Sequence, residues 1–113
     1  MAAMDTTEPL PLSPRDLLVL LALGDGPLHG YGIVKAVEAR SDATVLLDPA
    51  NLYRTLRRMR RDGWVEEVDE PDPEDARRRN FRLTPEGRAV VRAEVERLER
   101  VLAWAGPVAG GDG

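Results

Sequence analysis

DPANLYRTLRRMRRDGWVEE, residues 48–67, holds a helix with sharply divided faces and then a change of period after a glycine. Asp48 and Pro49 are a start signal: a capping acid, then a proline in the first turn, where its missing N–H costs nothing. Gly63 supplies the stop. Wound at about 3.6 residues per turn, Leu52, Leu56 and Met59 fall within one narrow arc. Arg54, Arg57, Arg58 and Arg61, with Ala50, fall on the opposite arc. Asn51 and Tyr53 flank that arc, and Arg60 lies near the apolar boundary, where its stem can snorkel.

Five arginines thus occupy the eight positions from 54 to 61, in a chain with 16 Lys+Arg against 20 Asp+Glu and a net charge of −4. The charges are segregated: residues 66–75 hold seven acids, and residues 54–61 none. An ordinary solvated helix face mixes signs, because pairs four residues apart help and like charges repel. Crowded arginines point instead to an anionic partner, with a solvated face as the alternative. A planar guanidinium binds phosphate bidentately and reads guanine in the major groove, and Asn51 has the donor–acceptor pair that suits adenine.

Outward from this segment, the rest of the chain reads as one domain of 113 residues. Residues 1–12 are expected to form a flexible arm. Ser13-Pro14-Arg15-Asp16 repeats the start signal, and LLVLLAL (residues 17–23) implies a core helix buried on all sides. A turn at residues 24–27 leads to a second helix at about 30–40, with Ile33, Val34 and Val37 inward and Lys35, Glu38 and Arg40 outward. Residues 43–47 read as a short extended piece. WVEEV and RNFRLT read as two strands of a hairpin with a long proline-containing tip, Phe81 and Leu83 facing one way and Asn80 and Arg82 the other. Thr84-Pro85-Glu86 opens a last helix, expected to end near Ala105.

Three compact helices followed by a hairpin predict an α+β, mainly α, fold: a winged helix-turn-helix with an appended C-terminal dimerisation helix. The expected divisions are an arm at 1–12, a DNA-binding domain at 13–84, a dimerisation helix at 85–105 and a flexible tail at 106–113. In a helix-turn-helix, the early residues of the second helix reach base edges. Ala50, Asn51, Tyr53 and Arg54 are therefore the base-side candidates, and Arg57, Arg58 and Arg61 the phosphate-side ones. Arg77, Arg78 and Arg79, at the base of the returning strand, either meet DNA as a basic wing or neutralise Glu66, Glu67, Glu74 and Asp75.

In the last helix Val91, Val95, Leu98, Leu102 and Ala105 follow a 4-3-4-3 spacing, a dimerisation seam, with Val90, Val101 and Trp104 as a second apolar patch. An intramolecular lid is the alternative use of the same stripe. A dimer presents two recognition helices to successive major-groove turns, so the expected partner is double-stranded DNA with an inverted-repeat operator. Leu98 and Trp104 are candidate contacts for a small hydrophobic or aromatic effector, although a late-helix tryptophan more often packs against a partner subunit. Tyr31 is expected to pack, and His29 to serve as a cap or a core hydrogen-bonder.

Cysteine is absent and histidine occurs once, which rules out disulfides and thiolate metal sites and makes other transition-metal sites improbable. With no glycine-rich phosphate loop and no paired carboxylates, neither an enzyme nor a cofactor is expected. The longest apolar run, Leu17–Leu23, is far too short to span a bilayer, and MAAMDTTEPLPL does not read as a signal peptide, so the expected location is the cytoplasm. A winged-helix module binding an acidic protein partner is the alternative function.

GPLHGYGIVKAVEAR, DPANLYRTLRRMRRDGWVEE and RRRNFRLTPEGRAVV together resemble the PadR family of bacterial transcriptional regulators over about residues 13–91. The shared pattern is G-x-L-H-G-Y, then L-Y-x-x-L-x-R-[LM] closing in G-[LW]-[IV], then R-x-[FY]-x-[LI]-T-x-x-G. The resemblance implies a homodimeric DNA-binding repressor, usually of a nearby gene set, released by a small molecule. It places the recognition helix on Asn51, Leu52, Tyr53, Arg54, Arg57 and Arg58, and the wing's basic residues on Arg77, Arg78 and Arg79. Two departures stand out. The wing tip DEPDPED is unusually acidic for a phosphate contact, and Leu98 occupies the place of the ligand-stacking tryptophan of multidrug-sensing members.

Overall fold

A computed structural model describes residues 10–41, 47–68 and 79–110 of the protein. Helix α1 (Pro14–Ala22) starts as its sequence dictates, Ser13 Oγ accepting from the Asp16 amide at 3.0 Å with Pro14 in the first turn. Val19 and Leu20, with Leu23 in the following 3-10 turn, are fully buried. Burial all round is not observed, however: among the described residues nothing covers Leu21 fully, and it is 44 % exposed. Helices α2 (Gly30–Arg40) and α3 (Pro49–Arg61) complete the three-helix group, contributing Ile33, Val37, Leu52, Leu56 and Met59 to the same core.

The sheet has three antiparallel strands in the order β1-β3-β2. Strands β2 (Val65–Val68) and β3 (Asn80–Leu83) form the expected hairpin, with Val65 opposite Leu83 and Val68 opposite Asn80. Phe81 and Leu83 are buried and Arg82 is exposed, as the alternation requires. The third strand was not expected. It is the two-residue β1 (Leu28–His29), with Leu28 opposite Phe81 and His29 opposite Asn80. Two residues are too few to show a period. Of the extended piece expected at 43–47, only Leu47 lies within the described residues, where it is buried and belongs to no strand. The arm at 1–9, the wing tip, Arg77 and Arg78, and the last three residues lie outside them.

Helix α4 (Pro85–Ala109) is tied to the wing at its first turn. Thr84 Oγ1 accepts from the Gly87 amide at 3.0 Å and donates to the Gly63 carbonyl at 2.5 Å, while the Thr84 amide donates to the Trp64 carbonyl. Gly87 lies directly under that Trp64 carbonyl, and a methyl group there would run into its oxygen. Gly63 turns the chain between α3 and β2 at φ 84°, a region that favours glycine.

Farther along, Val90 and Val91 pack on the core, and Glu94 is buried. Its carboxylate accepts two bonds from Arg97, at 2.7 and 2.9 Å, and one from the Leu12 amide at 3.1 Å. Arg97 holds the carboxyl below its ordinary value; burial acts the other way, and the Leu12 amide adds to the lowering. Residues 10–12 are therefore not a loose arm: Leu12 is buried and Leu10 packs on the core. The helix also runs one turn beyond Ala105, through Pro107, with Val101, Leu102, Trp104 and Val108 exposed along it. Pro107 lacks an N–H for the Ala103 carbonyl, so this turn is the weakest of the helix, but its ring-fixed φ is still helical.

Candidate nucleic-acid interface

Helix α3 is held by three residues and displays the rest. Leu52, Leu56 and Met59 are each at most 1 % exposed, which fixes the rotation of the helix about its axis. Ala50, Tyr53, Arg54, Arg57 and Arg61 then stand exposed on the far side, with Asn51 and Arg58 half-buried at its edge. Arg54 donates to the Asn51 side-chain oxygen, so the two groups suited to base edges are already oriented together.

The two shoulders of α3 meet different neighbours. On one side Tyr53 leans over Gly30 at the start of α2, where an added Cβ would sit 2.7 Å from the phenolic oxygen. Glycine at that position lets the two helices approach. On the other side Arg58 Nη2 bonds both carboxylate oxygens of Asp16 on α1, at 3.0 and 2.9 Å. No short-range pattern pairs residues 42 apart, so nothing in the local sequence joins Arg58 to Asp16. Arg60 approaches Glu67 of β2 at 4.0 Å.

Among the described residues Arg54, Arg57 and Arg61 have no carboxylate within ion-pair distance. The wing differs. Arg79 lies 3.9 Å from Glu67 and Arg82 2.7 Å from Glu66, so the acidic strand neutralises the cations at its base. His29 is the α2 cap, its Nδ1 accepting from the Gly32 amide at 3.0 Å. Tyr31 does not pack in the core: it is 59 % exposed, stacked beside His29, with the Lys35 ammonium 5.5 Å from its ring centre. Its place in the first turn of α2 points it outward past the end of β1.

Along α4 the expected seam divides. Val91 packs on its own domain, Leu98 is half-buried, and Val95 and Leu102 are exposed. Trp104 is 82 % exposed. Among the described residues no helix is long and apolar enough to cross a membrane.

A three-helix core, a three-stranded wing and an arginine-rich third helix, three of whose arginines have no carboxylate partner among the described residues, define a winged helix-turn-helix transcriptional regulator. Residues 19–93 match the model of the transcriptional regulator PadR-like family, and the chain belongs to that family, which is one of DNA-binding regulators and not of enzymes. A 37.1 kDa protein in transposon TN4556 of Streptomyces fradiae is 40 % identical over 85 residues, 75 % of this chain. The chain spans 23 % of that protein's length. Among solved structures, a transcriptional regulator from Clostridium thermocellum shares the fold with a TM-score of 0.68 at 22 % identity, over 84 % of this chain and 95 % of that one. BpsR of Bordetella bronchiseptica, whose DNA binding is regulated by 6-hydroxynicotinic acid, aligns at 27 % identity and a TM-score of 0.65, over 83 % of this chain and 61 % of its own.

Proposed function

We propose that the protein is a sequence-specific repressor that binds an inverted-repeat operator as a homodimer and is released by a small-molecule effector. The observation that carries the DNA side is the outer face of α3, where Arg54, Arg57 and Arg61 have no carboxylate partner among the described residues, on a helix whose rotation the core fixes. Ala50, Asn51, Tyr53 and Arg54 occupy the early positions that reach base edges, and Arg57 and Arg61 the later ones that meet phosphates. Arg58 enters DNA contact only in exchange for Asp16. Arg79, with Arg77 and Arg78 beside it in sequence, supplies the wing's contact to the backbone, in exchange for the Glu67 carboxylate 3.9 Å away.

The dimer rests on the apolar surface left open along α4, from Val95 through Leu102 to Val108. An exposed tryptophan at position 104 on such a surface gives an aromatic effector a stacking partner at the subunit junction, with Leu98 nearby in the seam. Regulation of BpsR by a small aromatic acid supports the same mode here. The cytoplasm is where such a regulator meets its operator.

Footprinting on the DNA upstream of the protein's own gene tests the reading. Two protected half-sites, one helical turn or a multiple of it apart, are expected. Absence of any salt-sensitive, sequence-dependent protection would replace the reading with that of a module binding an acidic protein.

A further inference from the structure

Between the first turn of α1 and the outer face of α3 lies a polar cleft of about 540 Å³. Five guanidinium groups line it (Arg15, Arg54, Arg57, Arg58 and Arg61) against one carboxylate, Asp16. That carboxylate is already engaged by Arg58, which leaves four cations with no carboxylate partner among the described residues. Arg15 comes from a different helix, so the cationic surface is not confined to the recognition helix. The α1 wall of the cleft adds to it.

We infer that this cleft is a backbone groove, in which Arg15 holds a phosphate of the DNA strand passing along the α1 shoulder of α3, and Asp16 limits the grip by keeping Arg58 occupied. The inference rests on the DNA-binding reading above and extends it to a helix outside the helix-turn-helix pair. Arg57 and Arg61, the phosphate-side residues of α3, are one turn apart, about 6 Å along the axis at 1.5 Å per residue, and Arg15 adds a third cation from α1. Three cations spread over two helices match successive phosphates of a strand. The division of roles follows from chemistry. A guanidinium free of carboxylates gains a charge-assisted bond on meeting phosphate, while Arg58 must first give up Asp16.

The test uses the full chain and two fluorescent duplexes, one carrying the upstream DNA and one of mixed sequence, titrated over a range of salt. Arg15→Ala is expected to weaken binding to both duplexes by the same several-fold factor and to make the slope of log K against log salt shallower by about 0.9. Arg15→Lys, which keeps the charge, restores the slope. Asp16→Asn strengthens binding to both duplexes and steepens the slope by a similar amount. Unchanged affinity and slope in Arg15→Ala, with circular dichroism intact, overturns the inference while leaving the recognition helix in place. If the unmodified protein binds neither duplex, the DNA-binding reading itself has failed. Saturable binding of inorganic pyrophosphate, lost in Arg15→Ala while the DNA slope stays the same, would make the cleft a small-anion site and overturn the groove.

Discussion

Arg58 of α3 and Asp16 of α1 are joined by one guanidinium nitrogen set between both carboxylate oxygens, at 3.0 and 2.9 Å. Asp16 is 14 % exposed and Arg58 40 %, so the acid is nearly covered while the base still reaches solvent. The pair sorts the arginines of α3. Arg58 fastens α3 to α1, Arg60 leans toward the wing, and Arg54, Arg57 and Arg61 have no carboxylate partner among the described residues. A run of like charges in the sequence is thus two groups with different work.

Gly87 and Gly24 should respond very differently to the same substitution. Gly87→Ala forces a methyl against the Trp64 carbonyl, whose position is set by its bond from the Thr84 amide. Such overpacking costs about 1–3 kcal/mol, read as a lower urea midpoint with the slope unchanged. Nothing lies within 4 Å of a Cβ at Gly24, so Gly24→Ala should stay within about 0.5 kcal/mol of the unmodified protein.

Glu94 makes stability depend on acid pH. Its carboxyl titrates below the ordinary value in the folded chain, so the unfolded chain takes up the proton first as pH falls. Its contribution is fully present above the ordinary glutamate range and is lost as pH drops through the lowered folded value. Glu94→Gln should therefore lower Tm at neutral pH by several degrees and flatten the fall of Tm as pH drops through and below the ordinary glutamate range. An unchanged acid limb in thermal melts would remove Glu94 from that role.

Most of the core and the outward face of α3 were legible because their signals are local and periodic. Leu52, Leu56 and Met59 recur at helical spacing, and Phe81 and Leu83 alternate with Asn80 and Arg82. The hidden parts depend on distant residues. Asp16 finds Arg58 across 42 positions and Leu12 finds Glu94 across 82. Glu94 itself, in a helix of mixed charge, looks like any surface acid until the fold buries it. Tyr31 sits in a motif dense with glycine, where packing is the natural reading, yet β1 and the α2 cap turn it outward.

Leu102→Glu with Trp104→Glu should separate the proposed homodimer into monomers. Both side chains are exposed in the single chain, 69 % and 82 %, so the fold loses little, whereas a subunit junction would bury unpaired carboxylates. Sedimentation should show half the mass, unchanged circular dichroism, and loss of operator binding by far more than either half-site alone would explain. A double variant that sediments like the unmodified protein would remove this end of α4 from the interface.

In the proposed complex α3 reads bases with its early residues and grips phosphates with its later ones. The most direct measurement compares Arg54→Ala with Arg61→Ala for affinity to the footprinted operator and to a scrambled duplex. Arg54→Ala should cost about 1–3 kcal/mol on the operator and narrow its preference over the scrambled duplex. Arg61→Ala should weaken both duplexes equally and make the salt slope shallower by about 0.9. Operator affinity and preference left unchanged by both substitutions would contradict it.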